Sequence, residues 1–200
     1  MLVIGLTGPT GAGKSVVGAI FAAHGIPIID ADAVYHQLLI PPSACLNELV
    51  YTFGHQILTP GGTLDRRALG NIVFSDEAQL HQLNIITHRY VMTSIKAKLE
   101  QLRRDGVRAA VLDAPQLFEA EADKLCNVIV SVLADKEVRI ERIMSRDGID
   151  RESAMRRIAA QKSDDFFRTH SNYVIENNGN LAGIIPAVRK ILAETGVITP

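Results

Sequence analysis

The segment Gly8-Pro9-Thr10-Gly11-Ala12-Gly13-Lys14-Ser15 constrains this chain more than any other. It fits the pattern of Gly, any four residues, Gly, Lys and Ser/Thr at every position. The glycines let the backbone curl so that successive N–H groups converge on phosphate oxygens. A helix opening at Lys14 adds the positive end of its dipole to the same anion site. Gly8, Gly11, Ala12, Gly13, Lys14, Ser15 and Val16 are therefore the candidate phosphate cradle. Lys14 is placed to reach the β- and γ-phosphates, and the Ser15 hydroxyl to hold Mg²⁺. A chance glycine-rich turn would match this pattern in roughly 1% of chains of this length. The flanks argue against chance. Leu2–Thr7 reads as a strand buried on both faces, and Val16, Val17, Ile20 and Phe21 recur at helical spacing up to a stop at Gly25.

Beyond the loop the pattern alternates. Ile26–Ile29 reads as a second buried strand ending in Asp30-Ala31-Asp32. From about Ala33 to Arg104 the periodicity is helical, broken at Pro41-Pro42 and at Thr59-Pro60-Gly61-Gly62. The longest helix there is expected to begin near Val91, with Val91, Ile95, Leu99 and Leu102 on one face and Gly106 beyond its end. Strands resume at Arg108–Leu112 and Val128–Leu133. A charged helix pair broken near Gly148 fills Asp135–Lys162, and Tyr173–Ile175 is a fifth strand before a helix at Leu181–Glu194. The expected class is α/β: a core with a five-stranded parallel sheet, a helical insertion and a small helical lid. The boundaries follow as 1–32 with 105–135 and 163–200 for the core, 33–104 for the insertion and 136–162 for the lid.

Bulk properties narrow the partners. Hydrophobic residues make up 47% of 200, which supports a buried core and excludes global disorder. A formal net charge of −1 argues against coating nucleic acid or an anionic membrane, so any anion site is local. The two cysteines, Cys45 and Cys126, have no metal-ligand or CxxC spacing and read as reduced thiols. No charged leader segment precedes the first apolar run, and no apolar stretch reaches the ~20 residues of a membrane span. A cytoplasmic protein is expected.

A phosphate grip does not choose a reaction. The Asn-Lys-x-Asp segment of a guanine-reading switch is absent. Small-molecule kinases place an acid near the end of the second strand, where Asp30 and Asp32 stand. Either could direct an acceptor hydroxyl, or both could simply cap the following helix. Asp113 closes the Arg108–Leu112 strand, where a Walker-B-type acid would assist Mg²⁺; with Pro115 two residues on, a turn-forming Asp is the competing reading. Arg139, Arg142 and Arg146 share one helical face by spacing, which fits either a solvated surface or an arginine lid over a polyphosphate.

Taken together, these residues resemble the dephospho-coenzyme A kinase family over nearly the whole chain. The resemblance runs through IGLTGPTGAGKS, IDAD at Ile29–Asp32, LDRRALGNIVF at Leu64–Phe74 and LNIITH at Leu83–His88. It continues through DAPQLFE at Asp113–Glu119, the Arg142…Arg146-Asp147 helix, RIAAQ at Arg157–Gln161 and VIENNG at Val174–Gly179. It implies a P-loop kinase core, a CoA-binding helical insertion and a lid. The implied reaction moves the γ-phosphoryl group of ATP to the ribose 3′-hydroxyl of dephospho-CoA, the last step of coenzyme A biosynthesis, with Mg²⁺.

On the resemblance, Asp32 is the catalytic acid, with Lys14 and the lid residue Arg142 as the catalytic cations and Arg146 as a further nucleotide contact. His88, Pro115, Leu117 and Phe118 line the acceptor side together with Asp32, and Ser15 and Asp113 face the metal. The implied partners are the small molecules ATP and dephospho-CoA, with neither nucleic acid nor membrane. The chain departs from the family pattern at Pro9-Thr10 (more usually Gly-Ile), Arg89, Gln116, Arg139 (usually Gln) and Asn172. Two other readings of the same residues are a kinase of another small acceptor, such as a nucleoside or nucleotide, and a non-catalytic nucleotide-binding regulatory module. The module would be marked by a broken Lys, Ser or acid, and Lys14, Ser15 and Asp32 are intact.

Overall fold

The computed structural model describes residues 1–179 and 181–198, and these form five strands and nine α-helices. In chain order they are β1 (Leu2–Thr7), α1 (Lys14–Ala23), β2 (Ile28–Asp30), α2 (Ala31–Leu38), α3 (Ala44–Phe53), α4 (Arg66–Val73) and α5 (Glu77–Arg104). Then come β3 (Ala109–Asp113), β4 (Val128–Leu133), α6 (Lys136–Asp147), α7 (Arg151–Ala159), α8 (Asp164–His170), β5 (Tyr173–Glu176) and α9 (Leu181–Glu194). The chain divides into two compact units. One joins Met1–Ile29 to the chain from Leu102 onward, and the other is Asp30–Gln101. Residues 136–162 fall within the first unit.

The first unit is built on the five-stranded parallel sheet, in the order β2-β3-β1-β4-β5. Central β1 pairs with β3, setting Leu6 opposite Asp113, and with β4, setting Thr7 opposite Ser131. The chain leaves β1 where its two neighbours diverge in sequence order, the crevice in which open α/β sheets bind ligands. One face is closed by α1 and α9: Val17, Phe21, Ile184, Val188 and Leu192 pack on Ile4, Leu6, Val111, Val130 and Val132, all buried. Side chains alternate along β1, so Gly5 faces the other side. A Cβ there would lie 2.8 Å from Cys126 Sγ and 3.0 Å from Leu117 Cδ2.

The second unit has its own core. Cys45, Leu49 and Phe53 of α3 meet Ile57, Leu69 and Val73, with Ile86 of α5 closing the cluster. Ser43 caps α3 by accepting from Leu46 N, and Asp65 caps α4 by accepting from Arg67 N and Ala68 N.

Three elements differ from the sequence expectation. The long helix α5 begins at Glu77 rather than near Val91 and runs 28 residues. Its first half carries Leu80, Leu83, Ile86 and Tyr90 toward the second unit's core, but buried Thr87 dilutes that stripe. The Thr87 hydroxyl is satisfied by donating to Leu83 O at 2.8 Å, so burial costs little. Helix α8 had no counterpart in the periodicity, being only seven residues long. The second strand ends at Asp30 and α2 follows at once, with Asp30 Oδ1 accepting from Ala33 N at 2.9 Å. Asp30 is thus the helix cap, and Asp32 lies exposed in the first turn of α2.

Candidate active site

The segment between β1 and α1 forms the cradle its sequence requires. Gly8 has φ 142°, and a Cβ there would sit 2.2 Å from Val132 O. Gly13 has φ 86°, and its Cβ would sit 2.2 Å from Asn177 Nδ2. Neither position tolerates a side chain without displacing its neighbour. The loop's own carbonyls need partners elsewhere.

Those partners come from α6 and from the residue after β5. Arg139 Nε donates to Thr10 O at 3.0 Å, and Arg142 Nη1 donates to Gly11 O at 3.2 Å and Ala12 O at 3.3 Å. Asn177, 4% exposed, donates from Nδ2 to Ala12 O at 2.8 Å and accepts from Arg142 Nη2 at 3.4 Å. Arg146 Nη2 lies 3.4 Å from Thr10 Oγ1, and its guanidinium also grips Asp147, which pairs with Arg157 as well. Gln161 Oε1 accepts from Thr10 N at 2.9 Å. All three arginines of the α6 face therefore meet the loop.

Sheet register places the acid. Because Asp113 stands opposite Leu6, its carboxylate comes to 3.8 Å from Lys14 Nζ. Pro115 lies beneath the loop's root, its carbonyl accepting from Thr7 Oγ1 at 3.3 Å. Ser15 and Val16 are exposed in the first turn of α1.

Leu117 has zero exposure and belongs to the interior. Phe118 is half-buried in an aromatic group, edge-on to Phe166 at 5.2 Å, with Phe166 stacked on His170 at 4.0 Å and Lys162 Nζ 4.3 Å from the Phe166 ring centroid. Asp32 and His88 lie in the Asp30–Gln101 unit. His88 is half-buried on α5, and burial holds its imidazole below the ordinary histidine value.

Sequence reasoning missed Asn177, Gln161 and the carbonyl-binding role of Arg139. The segments VIENNG and RIAAQ contain the first two, yet a polar pair after a strand reads as a turn.

No cluster of three His, Cys, Asp or Glu side chains among the described residues is arranged to cage a metal. One hydroxyl and one carboxylate beside a phosphate cradle instead fit an ion that keeps waters and arrives with its polyphosphate.

A phosphate loop at the switch point of a parallel sheet, with a lysine against the neighbouring strand's acid and an arginine helix on its rim, defines a P-loop kinase. Residues 2–183 match the dephospho-CoA kinase family model. The chain belongs to the dephospho-CoA kinase family, whose members are ATP-dependent kinases. It is 38% identical over 194 residues to the dephospho-CoA kinase of Arabidopsis thaliana, covering 97% of this chain and 84% of the relative. The solved structure of a Thermus thermophilus protein superposes with a TM-score of 0.82 at 33% identity, covering 96% of this chain and 97% of that one. That of dephospho-CoA kinase from Campylobacter jejuni gives 0.73 at 24% identity, covering 98% of each, and speaks to the fold. No helix among the described residues is long and apolar enough to cross a membrane.

Proposed function

We propose that the chain binds ATP on the Gly8–Ser15 cradle and transfers its γ-phosphoryl group to the ribose 3′-hydroxyl of dephospho-CoA, giving coenzyme A and ADP. The observation that carries this is the approach of Lys14 and Asp113 to 3.8 Å beside the cradle, in a chain of this family. The bond between the β,γ-bridging oxygen and the γ-phosphorus breaks, a bond from the 3′-oxygen forms, and the hydroxyl proton leaves.

Backbone N–H groups from Gly11 to Val16 hold the phosphates, and Lys14 neutralises charge on the transferring group. Arg142, held at the rim by two loop carbonyls, and Arg146 add positive charge where the polyphosphate is gripped. Ser15 and Asp113 would hold Mg²⁺, which when bound would neutralise charge on the polyphosphate. Asp32, exposed and not itself the helix cap, orients the acceptor hydroxyl or takes its proton. His88, Pro115 and Phe118 contribute to acceptor binding, with Leu117 fixing the floor. The Asp30–Gln101 unit is read as the acceptor-binding insertion and residues 136–162 as the lid. Positioning and charge stabilisation supply most of the acceleration, and the carboxylate supplies a smaller share.

The decisive measurement is ADP release from ATP-Mg²⁺ with and without dephospho-CoA, paired with Asp32→Asn. Turnover should require dephospho-CoA, and the variant should lose most of it while binding ADP normally. Phosphorylation of nucleosides but not dephospho-CoA would refute the acceptor, and an Asp32→Asn enzyme with full turnover would refute the role of Asp32.

A further inference from the structure

Thr10 concentrates the contacts between the cradle and the α6–α7 segment. Its N–H goes to Gln161, its carbonyl to Arg139 and its hydroxyl to Arg146. Of these partners Arg139 is the buried one, at 3% exposure. Its backbone also crowds the loop, since a Cβ at Gly11 would lie 2.8 Å from Arg139 O and 3.0 Å from Arg139 Cα. The same guanidinium reaches a second element: Nη1 pairs at 3.1 Å with Asp164, in the first turn of α8. Its Nη2 is buried and finds no hydrogen-bonding group among the described residues.

A buried, incompletely paired cation is a poor device for stability, because well-packed apolar groups of similar volume commonly serve as well or better. What an apolar side chain cannot do is hold an outward-facing loop carbonyl and a carboxylate at once. The Thr10 carbonyl sits in the middle of the curl, three residues before Gly13, so its orientation helps decide where the following N–H groups point.

We infer that Arg139 is a positioning residue for the nucleotide site: from its buried seat in α6 it ties the Thr10 carbonyl to Asp164 at the head of α8, fixing the curl that receives the phosphates. This rests on reading Gly8–Ser15 as the ATP cradle. Arg139 touches no nucleotide itself and acts through the loop backbone.

The test is ADP affinity by calorimetry without acceptor, alongside thermal melting and KM for each substrate, in Arg139→Met, Asp164→Asn and the double variant. Arg139→Met keeps the bulk and loses the head group, so ADP binding should weaken about tenfold, equivalent to about 1.4 kcal/mol. KM for ATP should rise in step while KM for dephospho-CoA changes less than about twofold. Asp164→Asn should weaken ADP binding in the same direction by a smaller factor, and the double variant should be no weaker than Arg139→Met.

A folded Arg139→Met chain that binds ADP like the wild type overturns the inference, whatever its melting temperature. So do additive losses in the double variant, or equal rises in both KM values. If Arg139→Met fails to fold, Asp164→Asn decides, and unchanged ADP affinity there overturns the clamp. Wild type that binds ADP but fails to phosphorylate dephospho-CoA refutes only the acceptor assignment. Wild type that binds no ADP refutes the cradle reading, and the clamp with it.

Discussion

Substituting Gly13 by alanine sets two parts of the site against each other. Gly13 sits at φ 86°, ψ 40°, a left-handed conformation that costs an alanine about 1–2 kcal/mol. The new methyl would lie 2.2 Å from Asn177 Nδ2, so the buried amide must leave Ala12 O, which it holds at 2.8 Å. A buried carbonyl stripped of its partner costs about 1–3 kcal/mol. Arg142 Nη1, at 3.3 Å from the same oxygen, keeps the loss toward the lower half of that range. Gly13→Ala should therefore destabilise by about 2–4 kcal/mol. Asn177→Ala alone should cost about 1–2 kcal/mol, because it removes the bond without the backbone strain. The double variant removes the clash together with the bond, so its cost should fall short of the sum of the singles by about 1–2 kcal/mol. Urea unfolding of the four proteins measures the cycle, and ADP calorimetry reports whether the cradle keeps its shape. A Gly13→Ala chain with the wild-type midpoint would refute the reasoning, as would a double variant within about 0.5 kcal/mol of additivity.

Burial pushes the Cys126 thiol up to about 12 and that of Cys45 to about 11, so both should resist a disulfide reagent at about pH 8 in the native protein and react on unfolding; rapid native labelling would contradict this. Burial holds His88 below the 6.5 of an exposed histidine, so the unfolded chain takes up its proton at higher pH than the folded one. The stability His88 contributes is whole above about 6.5 and lost as pH falls through its lower folded value, so urea midpoints from about pH 7.5 to about pH 5.5 should fall more steeply in the wild type than in His88→Asn, and parallel curves would count against it. Leu49 has zero exposure in the core of the Asp30–Gln101 unit, so Leu49→Ala should cost about 2–5 kcal/mol of that unit's stability. KM for dephospho-CoA should rise while ADP affinity holds, and a loss confined to ADP affinity would show that the acceptor reading of this unit is wrong.

The fold was legible wherever a local pattern carried it. β1, the loop and α1 lie within 22 residues of one another, and a buried apolar run ending in glycines has few other readings. The charged helix pair was legible because Gly148, at φ 63°, ends α6 in the left-handed conformation that glycine favours. The start of α5 was not, since the buried Thr87 looks polar in sequence and only its bond to Leu83 O makes it compatible with the core. Nor was α8. Two turns cannot show a period, and its Ser163 cap accepting from Phe166 N is one among several Ser and Asp candidates nearby.

The site divides along the same line. The inward-facing half of the cradle, the N–H groups and Lys14, is written in eight consecutive residues. The outward-facing half is not: Arg139 lies 129 positions from Thr10 and Asn177 lies 165 from Ala12. Sheet order brings them together, because β4 flanks β1, β5 flanks β4, and the residues leaving each strand arrive at the same edge. On the proposed reading the motif locates the phosphates, while the topology decides how rigidly the loop is held. In a kinase that works by positioning, rigidity of the loop sets how much binding energy reaches the transferring group. It follows that substitutions touching no substrate should lower nucleotide affinity most where they release a loop carbonyl, at Asn177 or Arg139, and by a smaller factor at Asp164, which steadies the Arg139 guanidinium. A series of such variants, ranked by ADP affinity, should order Asn177→Ala and Arg139→Met well below Asp164→Asn, whose partner stays bonded to Thr10.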